Sequence, residues 1–128
     1  MNKPATCAFC DIATGNGPAT VVAEWPDTIA ILPRERDGKR GCTDGHVLVI
    51  PRVHRDNAAS DPAITGMAAA RAAELAARLY AETGVDFHLI INSGPDADMT
   101  IEHVHWHVVP RRKGDGLAMP WNATRKAA

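Results

Sequence analysis

The chain has 128 residues, which is enough for one domain with a single hydrophobic core. Hydrophobic residues make up 45% of the sequence, charged residues make up 23%, and the formal net charge is -1. This balance is typical of a soluble globular protein and excludes the strongly basic surface that binds nucleic acid or anionic membranes. No apolar stretch approaches about 18 residues, so we expect no membrane as a partner. From the charge we also expect no nucleic acid as a partner, and we predict a single cytoplasmic domain over residues 1–128.

Short runs of β-branched residues alternate with turn signals in the first half of the chain. Residues 20–24 and 28–32 flank Trp25-Pro26-Asp27 and predict a hairpin. The charged, glycine-containing segment 33–44 predicts a long polar loop. Residues 46–50 are a compact apolar run, and they predict a third strand that ends at the following proline.

The second half of the chain predicts one long helix and two more strands. A start signal at 60–62 and the stop at Gly84 bound an alanine-rich helical segment. Residues 87–92 and 103–109 predict strands, and residues 111–128 predict a loosely held tail. Five strands with a single long helix between the third and fourth predict an α+β fold with a mainly antiparallel sheet.

Three histidines alternate along the last predicted strand. His103, His105 and His107 share one face, because successive side chains of a strand point to opposite sides. Neighbours on that face are about 7 Å apart at the backbone and the outer two about 13 Å apart, so a regular strand would strain to bring all three onto one metal ion. The other interpretation is a division of labour. One neutral imidazole attacks phosphorus, and its neighbours orient it or contact an anionic substrate.

The run from His103 to Val109 resembles the signature of the histidine triad (HIT) superfamily. Two more segments extend the resemblance. Gly45-His46-Val47-Leu48-Val49-Ile50-Pro51-Arg52 followed by His54 is similar to a second family motif, and Cys7-Ala8-Phe9-Cys10-Asp11-Ile12 resembles the opening of bacterial members. Asn92 lies eleven residues before His103, where the family places Asn or Gln. The order and spacing agree from Cys7 to about Pro110, which is most of the chain.

The resemblance implies a five-stranded antiparallel sheet, usually dimerised, and therefore a homodimer. It also implies nucleotide hydrolysis or nucleotidyl transfer at an α-phosphate through a covalent nucleotidyl-histidine. His105 corresponds to the nucleophile, His107 to the histidine that contacts the phosphate, and His103 to a structural histidine. Asn92 and Thr100 correspond to residues that bind the substrate.

The same resemblance implies a structural zinc ion. The ligands it assigns are Cys7, Cys10, His46 and His103, and such a Cys₂His₂ site would hold His103 and so brace His105. The alternative for the two cysteines is a pair of small buried side chains. We interpret Cys42 as incidental, His88 as an ordinary sheet histidine, and His54 as either a helper of the site or a surface residue.

Three positions depart from the family pattern. Asp98-Met99 stands where many members have Gly-Gln, which removes an amide donor and places a carboxylate near the expected phosphate. Pro33 stands where many members have an acceptor for the ribose, and the loop over residues 33–46 is about five residues longer than the pattern predicts. We therefore expect altered contacts to the nucleotide but the same chemistry.

Four functional hypotheses follow from these residues. The segment Pro110-Arg111-Arg112, followed by Gly114-Asp115, resembles the branch of the family that cleaves dinucleoside polyphosphates, and this resemblance implies hydrolysis of that substrate class by a HIT-type enzyme. The alternatives are a nucleoside phosphoramidate hydrolase, a nucleotide-binding module without useful turnover, and a metalloprotein that uses the histidine strand directly. Trp121 either covers the site of a partner subunit or anchors the tail.

Overall fold

A five-stranded antiparallel sheet organises the part of the chain that the computed structural model describes, residues 7–119 and 121. The elements along the chain are α1 (Ala8–Ala13), β1 (Val21–Glu24), β2 (Thr28–Ile31), β3 (Glu35–Arg36), β4 (Lys39–Arg40), β5 (Val47–Pro51), α2 (Pro62–Thr83), β6 (Asp86–Ile91), a 3₁₀ turn at Pro95–Ala97, and β7 (Trp106–Arg111). The strands of the sheet lie in the order β1-β2-β5-β7-β6. This architecture confirms the predicted α+β fold with one long helix.

The two faces of the sheet bury different clusters. Helix α2 covers one face, where its Ala72, Leu75 and Ala76 pack against Val49 and Val108. The short helix α1 covers part of the other face. There Phe9, Cys10 and Ile12 join the side chains of Ile29, Ile31, Leu48 and Ile50. Because both faces of β2 and β5 are covered, these strands are buried along their whole length, as their continuous apolar sequences require.

Helix α2 begins and ends at the predicted signals. The Asp61 side chain caps its first turn by accepting from the backbone N–H of Ile64 at 3.4 Å, and Pro62 occupies the first turn. Gly84 adopts the left-handed conformation that ends the helix. Among the residues placed in the structure, no helix has the length and hydrophobicity needed to cross a bilayer.

Two segments differ from the predictions. The polar loop contains a small hairpin of β3 and β4, which turns at Asp37 and Gly38 with positive φ angles of 51° and 78°. An Asp-Gly pair is a standard signal for such a turn. The last strand also begins at Trp106 rather than at residue 103, so His103 and His105 lie in the connection that leads into β7.

Candidate active site and metal centre

A buried cluster of two thiols and two imidazoles lies at the start of α1. Cys7 caps this helix, and its Sγ accepts from the backbone N–H of Cys10 at 3.3 Å. The cluster contains Cys7, Cys10, His54 and His103, whose candidate ligand atoms all lie within 4.8 Å of one another. The four Sγ to Nδ1 distances run from 3.3 to 3.7 Å.

The tautomers of His54 and His103 test whether a metal fits this cluster. His54 Nε2 lies 2.9 Å from a carboxylate oxygen of Asp56, and His103 Nε2 lies 2.8 Å from the carbonyl oxygen of Pro51. Both partners only accept, so both Nε2 atoms carry the proton and both Nδ1 atoms present lone pairs. These lone pairs face each other at 3.1 Å, an arrangement that a cation between them stabilises.

Tetrahedral zinc matches the measured spacings. Bonds of about 2.0 Å to nitrogen and about 2.3 Å to sulfur place the two nitrogens about 3.3 Å apart and each nitrogen about 3.5 Å from each sulfur. The observed values are 3.1 Å and 3.3–3.7 Å. The donor set therefore fits a structural zinc site with four protein ligands and no open position.

The histidine ligand assigned from the second motif needs a correction. We predicted His46, but the structure places His54 in the cluster and His46 beside His107. The reason is the antiparallel pairing of β5 with β7, in which Val47 lies opposite Val108 and Val49 opposite Trp106. The carboxyl end of β5 therefore approaches the residues that precede β7, and His54 rather than His46 reaches His103.

His105 is a buried imidazole with one nitrogen already engaged. Its Nδ1 lies 2.7 Å from the carbonyl oxygen of His103, which fixes the proton on Nδ1 and leaves a lone pair on Nε2. Burial lowers the pKa of His105, although the hydrogen bond to His103 opposes this effect. The ring of Phe9 contacts His105 edge to face, with centroids 4.9 Å apart. The result is a neutral, oriented imidazole.

His107 pairs with His46, the histidine of the second motif that lies outside the metal cluster. His46 Nε2 lies 3.0 Å from His107 Nδ1, and the rings of His105 and His107 have centroids 5.0 Å apart. Burial, followed by the proximity of His105 and His46, lowers the pKa of His107 to about 4. Burial is also the main reason for the lowered pKa of His46. Three neutral imidazoles therefore lie side by side next to the metal cluster.

Comparison with known proteins decides the family. The model of the HIT domain family matches residues 14–114. The chain belongs to the HIT family. It is 38% identical to an uncharacterized HIT-like protein of Mycobacterium tuberculosis over 120 residues, which cover 88% of this chain and 76% of that protein. It is also 30% identical to adenosine 5'-monophosphoramidase of Saccharomyces cerevisiae over 131 residues, which cover 96% of this chain and 77% of the yeast protein.

A solved HIT structure agrees with the fold and carries a metal. A Zn-bound histidine triad family protein from Mycobacterium smegmatis superimposes with a TM-score of 0.74 and 36% sequence identity. The match covers 89% of this chain and 81% of the mycobacterial chain. The zinc named for that protein is consistent with the ligand geometry of the cluster described above.

The predicted substrate-binding residues lie beyond the end of the β6–β7 ladder. Ile91 pairs with Trp106, and continuing this register places Asn92 opposite His105. Asn92 Nδ2 lies 3.4 Å from the backbone oxygen of Asp98, whose side chain is exposed. Thr100 is also exposed. Of the two residues that depart from the HIT pattern, Asp98 lies on the surface and Met99 is half-buried. The Asp98 backbone, with its positive φ of 65°, helps to hold Asn92.

The other predicted positions lie farther along the chain. Pro33 is buried, and its carbonyl oxygen accepts from the Arg40 guanidinium at 3.0 Å. Arg111, at the end of β7, binds Asp115 at 2.7 Å and holds the described part of the tail. The Trp121 side chain is 57% exposed. Residues 120 and 122–128 of the predicted tail lie outside the described residues.

Sequence reasoning missed two contributors to the HIT site. Asp56 orients the metal ligand His54 through the 2.9 Å contact to Nε2. Phe9, noted only as part of the cysteine motif, packs against both His103 and His105. A carboxylate two residues after a ligand histidine is a usable signal for the first, because metal-binding histidines commonly donate their second N–H to a carboxylate. No sequence signal identifies the second.

Proposed function

We propose that this protein is a nucleotide hydrolase in which His105 attacks the α-phosphorus of its substrate. The observation that carries the proposal is the 2.7 Å hydrogen bond from His105 Nδ1 to the carbonyl of His103, which leaves Nε2 as a lone-pair donor on a neutral imidazole. Membership of the HIT family and the hydrolase name of the yeast relative support the same chemistry.

The reaction has two displacements. The lone pair of His105 Nε2 forms a bond to phosphorus, and the bond from phosphorus to the leaving group breaks with its electrons going to the leaving atom. The imidazole becomes a nucleotidyl-imidazolium that still donates from Nδ1 to His103. Water then attacks the same phosphorus, the P–N bond electrons return to Nε2, and the water proton passes to solvent as the mononucleotide leaves.

A dinucleoside polyphosphate is the substrate class that we place first. Its leaving group departs as a stable phosphate anion, so it needs hydrogen-bond donors more than it needs a proton. His107 suits that task, because its pKa of about 4 keeps it a neutral donor at pH 7 in the free protein. A nucleoside phosphoramidate is the second candidate, favoured by the name of the yeast relative. Its leaving nitrogen needs a proton that neutral His107 does not readily supply.

Three polar residues complete the proposed substrate site. His107 contacts the phosphate, Asn92 donates its amide beside His105, and Thr100 donates its hydroxyl. Donors placed at the developing charge stabilise the transition state, and the loss of one lowers the rate by about 10²–10³-fold. The Asp98 side chain is exposed, and the group of Asp98 that meets Asn92 is its backbone oxygen rather than its carboxylate.

We also propose that Cys7, Cys10, His54 and His103 hold a structural zinc ion. The facing lone pairs of His54 and His103 and the tetrahedral spacings support this assignment. When bound, the ion supplies rigidity and no open coordination position. His103 is its link to the chemistry, since the backbone carbonyl of this ligand orients His105.

A cytoplasmic homodimer is the proposed assembly. Within residues 7–119 and 121, β6 is an edge strand of the sheet, and it exposes Phe87 and Ile90, while α2 exposes Tyr80. These groups would be covered by a second copy of the chain. Three free cysteines also fit the cytosol, where thiols are kept reduced and disulfides are rare. Light scattering of wild type and of Ile90→Asp would test the dimer, with the variant expected to be monomeric.

Turnover of a nucleotide panel by His105→Asn tests the central role of His105. We expect loss of turnover by several orders of magnitude with substrate affinity retained, because asparagine can still donate to His103 but has no nucleophilic nitrogen. His88→Asn is the matched control, since His88 lies on β6 outside the site. A wild-type protein that binds nucleotides but turns over no member of the panel would identify a binding module instead.

A further inference from the structure

The long loop before β5 presses its backbone against the imidazole of His46. Gly41 has a positive φ of 72°, and a Cβ atom at this position would come within 2.7 Å of His46 Cγ. Only glycine allows this approach without a shift. The approach brings the backbone N–H of Cys42 to 3.1 Å from His46 Nδ1. The loop that is longer than the family pattern therefore makes a specific contact with the site.

This contact fixes the proton positions of two histidines. The Cys42 N–H can only donate, so His46 Nδ1 must carry a lone pair, and a neutral His46 holds its proton on Nε2. That proton is donated to His107 Nδ1 across 3.0 Å. A neutral His107 whose Nδ1 accepts must then carry its own proton on Nε2. The Cys42 amide therefore sets the direction of donation from His46 to His107, given that both imidazoles are neutral.

His107 Nε2 ends this chain of hydrogen bonds without a protein partner. It is one of two buried side-chain polar atoms for which no partner is found in the described part of the chain, and the other is Thr43 Oγ1. A buried donor without a partner destabilises the folded protein, because it has lost its hydrogen bonds to water. Such groups in native structures have a reason, and a donor reserved for a ligand atom is one.

We propose that the Cys42 backbone and His46 act together as positioning groups that lock His107 as an Nε2–H donor for the oxygen of the substrate's leaving group. This inference rests on the proposed function for the identity of that oxygen. Without His46, His107 Nδ1 would lack a donor, and its proton could move to Nδ1. Nε2 would then present a lone pair to an anionic substrate. The expected consequence is a lower kcat with little change in KM, because a leaving-group contact strengthens in the transition state.

Two substitutions of His46 distinguish its hydrogen bond to His107 from its contribution to packing. His46→Gln can place an amide N–H near the position of Nε2, whereas His46→Leu keeps bulk and removes both hydrogen bonds. The readout is the ¹⁵N chemical shift of the His107 ring nitrogens in the zinc-loaded protein, together with kcat and KM. We expect wild type to show His107 protonated on Nε2. We expect His46→Leu to lose that state and about 10–100-fold in kcat, and His46→Gln to recover most of both.

Two loop glycines provide a second test that leaves every histidine in place. Gly41→Ala should push the Cys42 N–H away from His46 and reproduce part of the His46→Leu effect. Gly38→Ala is the matched control, because its φ of 78° carries the same backbone strain while its Cβ would meet open space. Equal effects of the two alanines on the His107 signal would contradict the inference.

The outcomes distinguish this inference from the proposed function. The His107 tautomer is read without substrate, so it stands apart from turnover. A His46→Leu protein that keeps the Nε2–H tautomer and full kcat overturns the positioning role, even when His105→Asn is inactive. Retained turnover by His105→Asn overturns the proposed nucleophile, while the expected tautomer pattern would still support the lock on His107.

Discussion

Two pairs of histidines in this protein have almost the same spacing and opposite chemistry. His54 Nδ1 and His103 Nδ1 lie 3.1 Å apart, and His46 Nε2 and His107 Nδ1 lie 3.0 Å apart. In the first pair both nitrogens present lone pairs, because their second nitrogens donate to Asp56 and to the Pro51 carbonyl. In the second pair one nitrogen donates to the other.

The difference shows that the chemistry of a histidine pair depends on the partner of the second ring nitrogen, the one that points away from the pair. The first pair needs a cation and is completed by the thiolates of Cys7 and Cys10. The two facing nitrogens of the second pair satisfy each other without a ligand, and this contact leaves the proton of His107 on its other nitrogen, Nε2. His105 lies between the two and takes its orientation from the backbone of His103. Changes that remove the metal should therefore break the first pair and leave the second intact.

Loss of one thiolate should have the largest effect. In Cys10→Ser we expect zinc content to fall from one ion per chain to a small fraction, because the serine hydroxyl is a poor zinc ligand. The facing lone pairs would lower stability by about 3 kcal/mol or more, or about 10 °C in Tm. Metal analysis and thermal unfolding measure both. Cys42→Ser is the control, since this exposed thiol lies outside the cluster; full zinc and an unchanged Tm in Cys10→Ser would refute the assignment.

The second pair should give stability a dependence on pH. The pKa of His107 is lowered from 6.5 to about 4, so between these values the unfolded chain binds more protons than the folded one. The contribution of neutral His107 to the free energy of unfolding is therefore present above pH 6.5 and is lost as the pH falls toward 4. Between pH 7 and pH 5, wild type should lose about 2 kcal/mol more than His107→Asn. Denaturant unfolding at both pH values measures the difference, and parallel losses would argue against a neutral His107.

A smaller effect should come from the carboxylate behind the metal. Asp56→Asn weakens the hydrogen bond that orients His54, and we expect the zinc dissociation constant to rise about tenfold. Competition with a chromophoric chelator measures it. Asp96→Asn, an exposed carboxylate of the 3₁₀ turn, should bind zinc as wild type does. Equal affinities in all three proteins would show that Asp56 does not tune the site.

Sequence alone could predict most of the sheet, the single long helix and its ends, because these depend on local signals such as Asp61-Pro62 and Gly84. It could not choose between His46 and His54 as the metal ligand. Both lie in one motif, and the choice depends on which strand pairs with β5 and in which direction. That pairing is a long-range property of the sheet, and no local pattern contains it.

The proton positions were beyond sequence for a similar reason. They depend on which carbonyl, carboxylate or amide meets each ring, as the Cys42 amide meets His46. The Asp37-Gly38 turn, in contrast, carried a usable local signal for the small hairpin β3–β4. Alternation along β7 places Trp106 and Val108 on the face opposite His107, and both pack in the cluster that α2 covers.

The most direct test of the central claim is the mass of the protein during turnover. Wild type mixed with a dinucleoside polyphosphate and quenched at high pH within the first turnovers should gain the mass of one nucleotidyl group, on a peptide that contains His105. His105→Asn should gain none, and His88→Asn should gain as much as wild type. Turnover without any adduct, or an adduct that persists in His105→Asn, would contradict the assignment of His105 as the nucleophile.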